Sequence, residues 1–110
     1  ATYQEVLNKR DGTILDRYTK DACLLPPNSP ILCGRDAMLD YFKEGKPLIT
    51  NFTIIDVIGN GNGYVTEISW YEMFDLNKNE IDNGKIMVVW KKTEQGWKMH
   101  RDMFSSSMKR

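Results

Sequence analysis

A chain of 110 residues, 41% of them hydrophobic, is one domain with a core of its own, large enough to fold without metals or staples. Its fifteen basic and fifteen acidic residues cancel, which removes the field that would gather nucleic acid or an anionic membrane surface. No apolar run approaches the ~20 residues needed to span a bilayer, and ATYQEVLNKR lacks the apolar centre of a signal peptide, so the expectation is a soluble, cytoplasmic chain with no nucleic-acid and no membrane partner.

In chain order, Tyr3 to Leu7 reads as the end of a helix closed by Asn8-Lys9-Arg10. Asp11 is a good N-cap for a second helix, where Ile14, Leu15 and Tyr18 fall at helical spacing and which is expected to end near Lys20. Ala22 to Leu25 is apolar enough for a short strand, and Pro26-Pro27-Asn28-Ser29-Pro30 must then be irregular, because consecutive prolines remove backbone donors. After Gly34 a third helix is expected from Arg35 to Glu44, with Ala37, Met38, Tyr41 and Phe42 on one stripe.

Beyond Pro47 the pattern changes from helical to alternating. Strands are expected at Ile49–Ile58, Tyr64–Asp75, Lys85–Thr93 and Trp97–Ser106, separated by Gly and Asn residues that tolerate positive φ. Helices first and a long antiparallel meander afterwards predict an α+β domain, residues 1–110, whose strongly curved sheet wraps about three N-terminal helices as a cone and leaves a cavity between the layers.

Cys23 and Cys33 are the only cysteines, and one pair is too few for a disulfide framework or a four-ligand zinc site. They are expected to be buried free thiols; the alternative is a bond across the tight loop LLPPNSPIL, which they flank. The glycines from 59 to 63 link two strands rather than a strand and a helix, which argues against a phosphate loop. Asp75, Asn77 and Asn79 lack the glycine and glutamate of a calcium loop and read as a polar turn.

RYTKDACLLPPNSPILCGRDAMLDYF followed by GKIMVVWKKTEQGWKMHRDMF resembles the SnoaL-like branch of the nuclear transport factor 2-like superfamily. The resemblance covers nearly the whole chain, although the first helix begins later than is usual for the family. It implies a cone of curved antiparallel sheet closed by three helices, a scaffold that carries ketosteroid isomerases, polyketide cyclases, dehydratases, epoxide hydrolases and noncatalytic association domains. Isomerase chemistry needs a carboxylate base beside an oxyanion hole of a tyrosine and a protonated aspartate. Tyr3 falls where the tyrosine would stand, but the base position falls at Pro26 and the oxyanion acid at Met87, so ordinary steroid isomerisation is not expected.

In such a cone, strand alternation sets His100, Asp102 and Phe104 on the pocket face of the last strand, with Met87, Val89, Glu67, Ser69 and Tyr71 opposite. Asp102, in the pattern of Trp, apolar residue, Asp and aromatic, is the leading candidate for proton transfer, because burial among Phe and Met raises a carboxyl pKa. His100 is a candidate general base oriented by that acid, and Tyr71 or Tyr3 a donor to a developing oxyanion. Glu67, Met87, Phe104 and Tyr3 are the expected ligand contacts.

The opposite face, carrying Trp70, Trp90, Met99 and Arg101, is too apolar for water and predicts a two-fold homodimer packed sheet against sheet. Two functions follow. One is a cofactor-free and metal-free isomerase, cyclase, dehydratase or hydrolase acting on a small, largely apolar, oxygen-bearing molecule. The other is a noncatalytic dimeric domain that binds a ligand or holds an assembly together.

Overall fold

The computed structural model describes residues 3–9, 11–43 and 48–108. Helix α1 (Tyr3–Lys9) and a 3-10 helix (Thr13–Arg17) lead into β1 (Tyr18–Leu25), β2 (Leu32–Cys33) and α2 (Arg35–Lys43), and four long strands complete the chain: β3 (Ile49–Gly61), β4 (Tyr64–Phe74), β5 (Glu80–Thr93) and β6 (Gly96–Ser106). They form a six-stranded sheet in the order β2-β1-β6-β5-β4-β3, all antiparallel except the β1–β6 pair, which runs parallel. This is the α+β cone expected from helices first and meander afterwards, with two α-helices and one 3-10 turn in place of three helices.

The helix expected from Asp11 to Lys20 is the largest correction. Asp11 turns the chain by accepting the Thr13 N–H at 3.0 Å and the Thr13 hydroxyl at 2.7 Å, a local bond that also lowers the Asp11 pKa, but only five residues turn helically before β1 begins. Tertiary pairing prevails over the weak local signal: Ile14, Leu15 and Tyr18 are buried as the spacing requires, yet Tyr18 is the first residue of a strand. The strand read at Ala22–Leu25 accordingly starts four residues earlier. β5 starts five residues earlier than expected, at Glu80, because Asp75 accepts the backbone N–H groups of Asn77 and Asn79, both at 2.9 Å, and closes the β4–β5 turn tightly. Both hairpins expected at Gly63 and Gly96 use those glycines at positive φ, 81° and 102°, which residues with a Cβ adopt at a cost.

The core lies on one side of the β1-β6-β5 half of the sheet, where Leu24, Val88 and Met99 meet Ile14, Leu15, Met38 and Phe42 from the helical segments. α2 contributes through Met38 and Phe42, four residues apart and so on one helical stripe. Asn8 ties α1 to the start of β3 by donating to the Leu48 carbonyl at 2.9 Å and accepting the Leu48 N–H at 3.1 Å. A Cβ on Gly84 would collide with the Ser105 carbonyl of the paired strand β6, so no larger residue fits without backbone movement. β3 is the edge strand at the end of the sheet opposite β2, and its Phe52, Ile54, Ile55, Val57 and Ile58 are all exposed.

The two cysteines are bonded. Cys23 on β1 and Cys33 on β2 pair directly in the ladder, with Cα atoms 4.1 Å apart and the sulfurs joined at 2.10 Å. The expectation of free thiols is thus corrected, for a physical reason: the proline-rich loop folds its flanking strands into an antiparallel pair and brings the thiols face to face.

Candidate functional site

Register decides which side chains enter the hollow between sheet and helices. Across β4, β5 and β6, Glu67 stands opposite Val88 and Val88 opposite Asp102, so the two carboxylates share the inner face with one valine between them. Ser69, Ile86 and Phe104 form the next inner row, and Val65, Trp90 and Met99 the one before. Between Val89 and Trp90 the β5–β6 register shifts by one residue, leaving His100 unpaired in a bulge. A bulge reverses the alternation beyond it, so Met99 and Asp102 face inward together while His100 does not.

Asp102 is 3% exposed. Its Oδ2 accepts the Tyr18 phenol proton at 2.6 Å, and its Oδ1, equally buried, has no hydrogen-bond partner among the described residues. Burial pushes the Asp102 carboxyl up to about 6; the Tyr18 bond pulls it down and the neighbouring charge of Glu67 raises it further. Glu67 accepts from the Ser69 hydroxyl at 2.6 Å and from the Trp90 indole N–H at 3.1 Å. Beside these groups lies a cavity of about 400 Å³, lined by Glu67, Asp102, Ile86, Val88 and Trp90 and also by Arg17, Lys98 and the exposed Phe52 and Trp97. That is within the range of small-molecule sites.

The remaining candidates fall elsewhere. His100 looks to the other side of the sheet, where its Nδ1 shares a 2.8 Å hydrogen bond with Thr19 Oγ1 and lies 3.6 Å from the exposed Asp21 carboxylate. Its ring stands 6.0 Å from that of Tyr64, and burial, then the Arg101 charge, lower its pKa. It is therefore not the partner of Asp102. Tyr71 is on the inner face and fully buried, but its hydroxyl donates to Asp82 at 2.9 Å rather than toward the cavity, and Ser106 closes the same carboxylate at 2.5 Å. Phe104 packs edge-on against Tyr71 at 6.0 Å. Met87, taken as a ligand contact, is 47% exposed on the outer face. The side chain of Tyr3 lies outside the described residues.

β5 thus runs in the opposite phase to the one expected: Val88 and Trp90 point in, Met87 and Val89 out. Of the four residues assigned to a dimer face, Trp90 and Met99 belong to the cavity side, whereas Trp70 and Arg101 keep the outer side. Sequence reasoning also missed Tyr18, Trp97 and Phe52. Alternation signals Phe52, but for Trp97 it gives the outer face and only the bulge at His100 turns it inward with Met99; Tyr18, assigned to a helix, gave no signal.

No family model matches the chain, and no curated protein does. Solved structures do. A ketosteroid isomerase-like protein from Erwinia carotovora atroseptica superposes with a TM-score of 0.79 at 17% identity, over 97% of this chain and 89% of that one. A nuclear transport factor 2-like protein with a cystatin-like fold from Novosphingobium aromaticivorans reaches 0.83 at 12% identity, over 98% and 77%. The fold is that of the nuclear transport factor 2-like proteins. A third similar structure, from Thiobacillus denitrificans, is likened to the association domain of calcium/calmodulin-dependent protein kinase type II and gives 0.79 at 13% identity, over 96% and 90%. At these identities the likeness speaks for the fold, and proteins with different tasks share it. Pro26 is buried just beyond β1, and Met87, the position matched to the oxyanion acid, stands on the outer face of the sheet rather than the cavity face. Among the described residues no helix is long and apolar enough to cross a membrane.

Proposed function

We propose that this chain is a small-molecule-binding cone domain of the SnoaL-like kind in which Asp102 exchanges a proton with a small, largely apolar, oxygen-bearing ligand. The observation that carries the reading is the unpartnered Oδ1 of a carboxyl group that is 3% exposed and lines the cavity. Leaving a buried polar atom unsatisfied costs about 1–3 kcal/mol, and a ligand that bonds to it recovers that cost. A carboxyl held near neutrality suits an acid or base in isomerase, cyclase, dehydratase or hydrolase chemistry. Tyr71, bonded to Asp82, is not available as the oxyanion donor, which weighs against enolisation within that group.

A thermal-stability screen with small apolar alcohols, ketones, acids and amines tests the reading, since a ligand of the native state raises the melting point. Stabilisation that disappears in Asp102→Asn is expected. A panel that leaves both proteins unmoved removes the binding site.

A second reading, a noncatalytic domain that associates through its sheet, draws on a separate observation. Ile68, Met87 and Met103 stand opposite one another across β4, β5 and β6 on the outer face, with Met87 47% and Met103 53% exposed. Such a row beside Trp70 favours a two-fold homodimer. The Cys23–Cys33 bond bears on location: a cytosol keeps thiols reduced, so the bond favours an oxidising compartment over the cytoplasm expected from the absence of apolar segments.

A further inference from the structure

The hydrogen-bonding capacity around the two inner-face carboxylates is one-sided. Tyr18 gives its proton to Asp102, Ser69 and Trp90 both give theirs to Glu67, and Tyr71 gives its own to Asp82. Each of these inner-face donors is directed at a carboxylate. What remains is acceptor capacity, above all Asp102 Oδ1, which is buried and unpartnered, and the further lone pairs of Glu67. A ligand carbonyl would find acceptors facing acceptors. A ligand rich in N–H groups would find its complement.

We propose that the cavity takes a small organic ammonium ion whose N–H groups fill Asp102 Oδ1 and Glu67 and whose apolar body lies against Ile86, Val88 and Trp90. The inference rests on the small-molecule reading above, keeps its site and its largely apolar ligand body, and puts a nitrogen head group in place of the oxygen-bearing one. Two carboxylates separated by one valine on adjacent strands stand about 10 Å apart at their backbones, so side chains leaning inward leave room for one ammonium between them. Trp90 and Trp97, which both line the cavity, offer aromatic surface that suits a cation as well as an apolar body. The positive charges that line the cavity are Arg17 from the 3-10 helix and Lys98 from β6, and Lys98 donates to Gln95 at 2.8 Å. Asp102, at 3% exposed, is more buried than either cation and so is screened less by water. The groups that face Asp102 and set its charge are Tyr18 from β1 and Glu67 from β4, with Asp16 and Arg17 lining the same cavity.

The test compares three probes of similar shape: 2-phenylethylamine, 2-phenylethanol and 3-phenylpropanoate, each titrated at pH 7.5 by calorimetry. The amine is expected to bind at least tenfold more tightly than the alcohol, and the acid not at all. Glu67→Gln is expected to weaken the amine at least tenfold and to leave the alcohol within twofold. Should that variant fold poorly, the wild-type protein gives the same answer: lowering the pH from 7.5 to 5 protonates Asp102 and is expected to weaken the amine about tenfold. Alcohol or acid binding as tightly as the amine, or amine affinity indifferent to pH, overturns the ammonium ligand and leaves small-molecule binding in place. Silence of all three probes overturns it too, and silence of the wider screen as well removes both readings.

Discussion

Tyr18 donates its phenol proton to Asp102 Oδ2 at 2.6 Å across a separation of 84 residues, joining the first full strand of the chain to the last. The parallel β1–β6 pairing makes that bond possible, and it fixes the orientation of the carboxyl group so that its other oxygen is left unbonded. Removing the donor should free the carboxyl to hold its proton longer. In Tyr18→Phe the Asp102 pKa is expected to rise above about 6, because the Tyr18 bond lowers it, and stability to fall by about 1–3 kcal/mol. Carboxyl-carbon NMR titration of labelled aspartate reads the first and urea unfolding the second; an Asp102 titration identical in both proteins would refute the coupling.

Stability should also carry the imprint of Asp102 in its pH dependence. The folded chain keeps this proton to about pH 6, whereas an unfolded aspartate loses it near 3.8. Between those values the folded state binds more protons, so this group's contribution is full at low pH and is lost as pH rises through the window, by about 3 kcal/mol in all. Asp11, Asp21 and Asp75, whose pKa values are lowered by local hydrogen bonds, act in the opposite sense. The measurement is therefore a difference: the stability of Asp102→Asn minus that of the parent should grow from pH 4 to pH 7. Parallel curves would show that Asp102 titrates normally.

The bond between Cys23 and Cys33 closes a loop with a sequence separation of 10. For a loop of this size the loss of unfolded-state entropy is worth about 3 kcal/mol. Thiol titration of the oxidised, denatured protein should find no free thiol, and the Cys23→Ser, Cys33→Ser double variant should unfold at lower urea. Two titratable thiols in protein purified without reductant would contradict the pairing.

The outer face makes a distinguishable prediction. Trp70→Glu should shift the sedimentation of the chain to that of a monomer, while Trp90→Phe, on the cavity side, should leave assembly unchanged and instead lose the bond to Glu67. A dimer unaffected by Trp70→Glu, or a parent that is already monomeric, would dismiss the sheet-to-sheet interface.

The long strands were legible because their alternation and their Gly and Asn turns are strong local signals, and the inward placement of Glu67, Ser69, Tyr71, Asp102 and Phe104 followed from period two alone. Phase failed where it is not locally encoded. Met87-Val88-Val89-Trp90 is apolar at every position, so either pair suits a core, and only pairing with Asp102 selects Val88 and Trp90. The bulge at His100 has no glycine or proline to announce it, and it alone turns the imidazole away from the acid two residues on. The pairing of Tyr18 with Asp102 depends on a parallel strand contact, which no local pattern specifies.

β3 has a second side to its backbone, and among the described residues no strand pairs with it. Its row of exposed Phe and Ile residues makes that margin a template on which another extended chain could be laid, the geometry from which fibrillar stacking grows. One register shift, between Ile54 and Asp56, breaks the ladder in the middle, and there the Asp56 carboxylate holds the Val57 N–H at 2.9 Å. The shelf life of this molecule in concentrated solution is therefore guarded by a kink and a single negative charge.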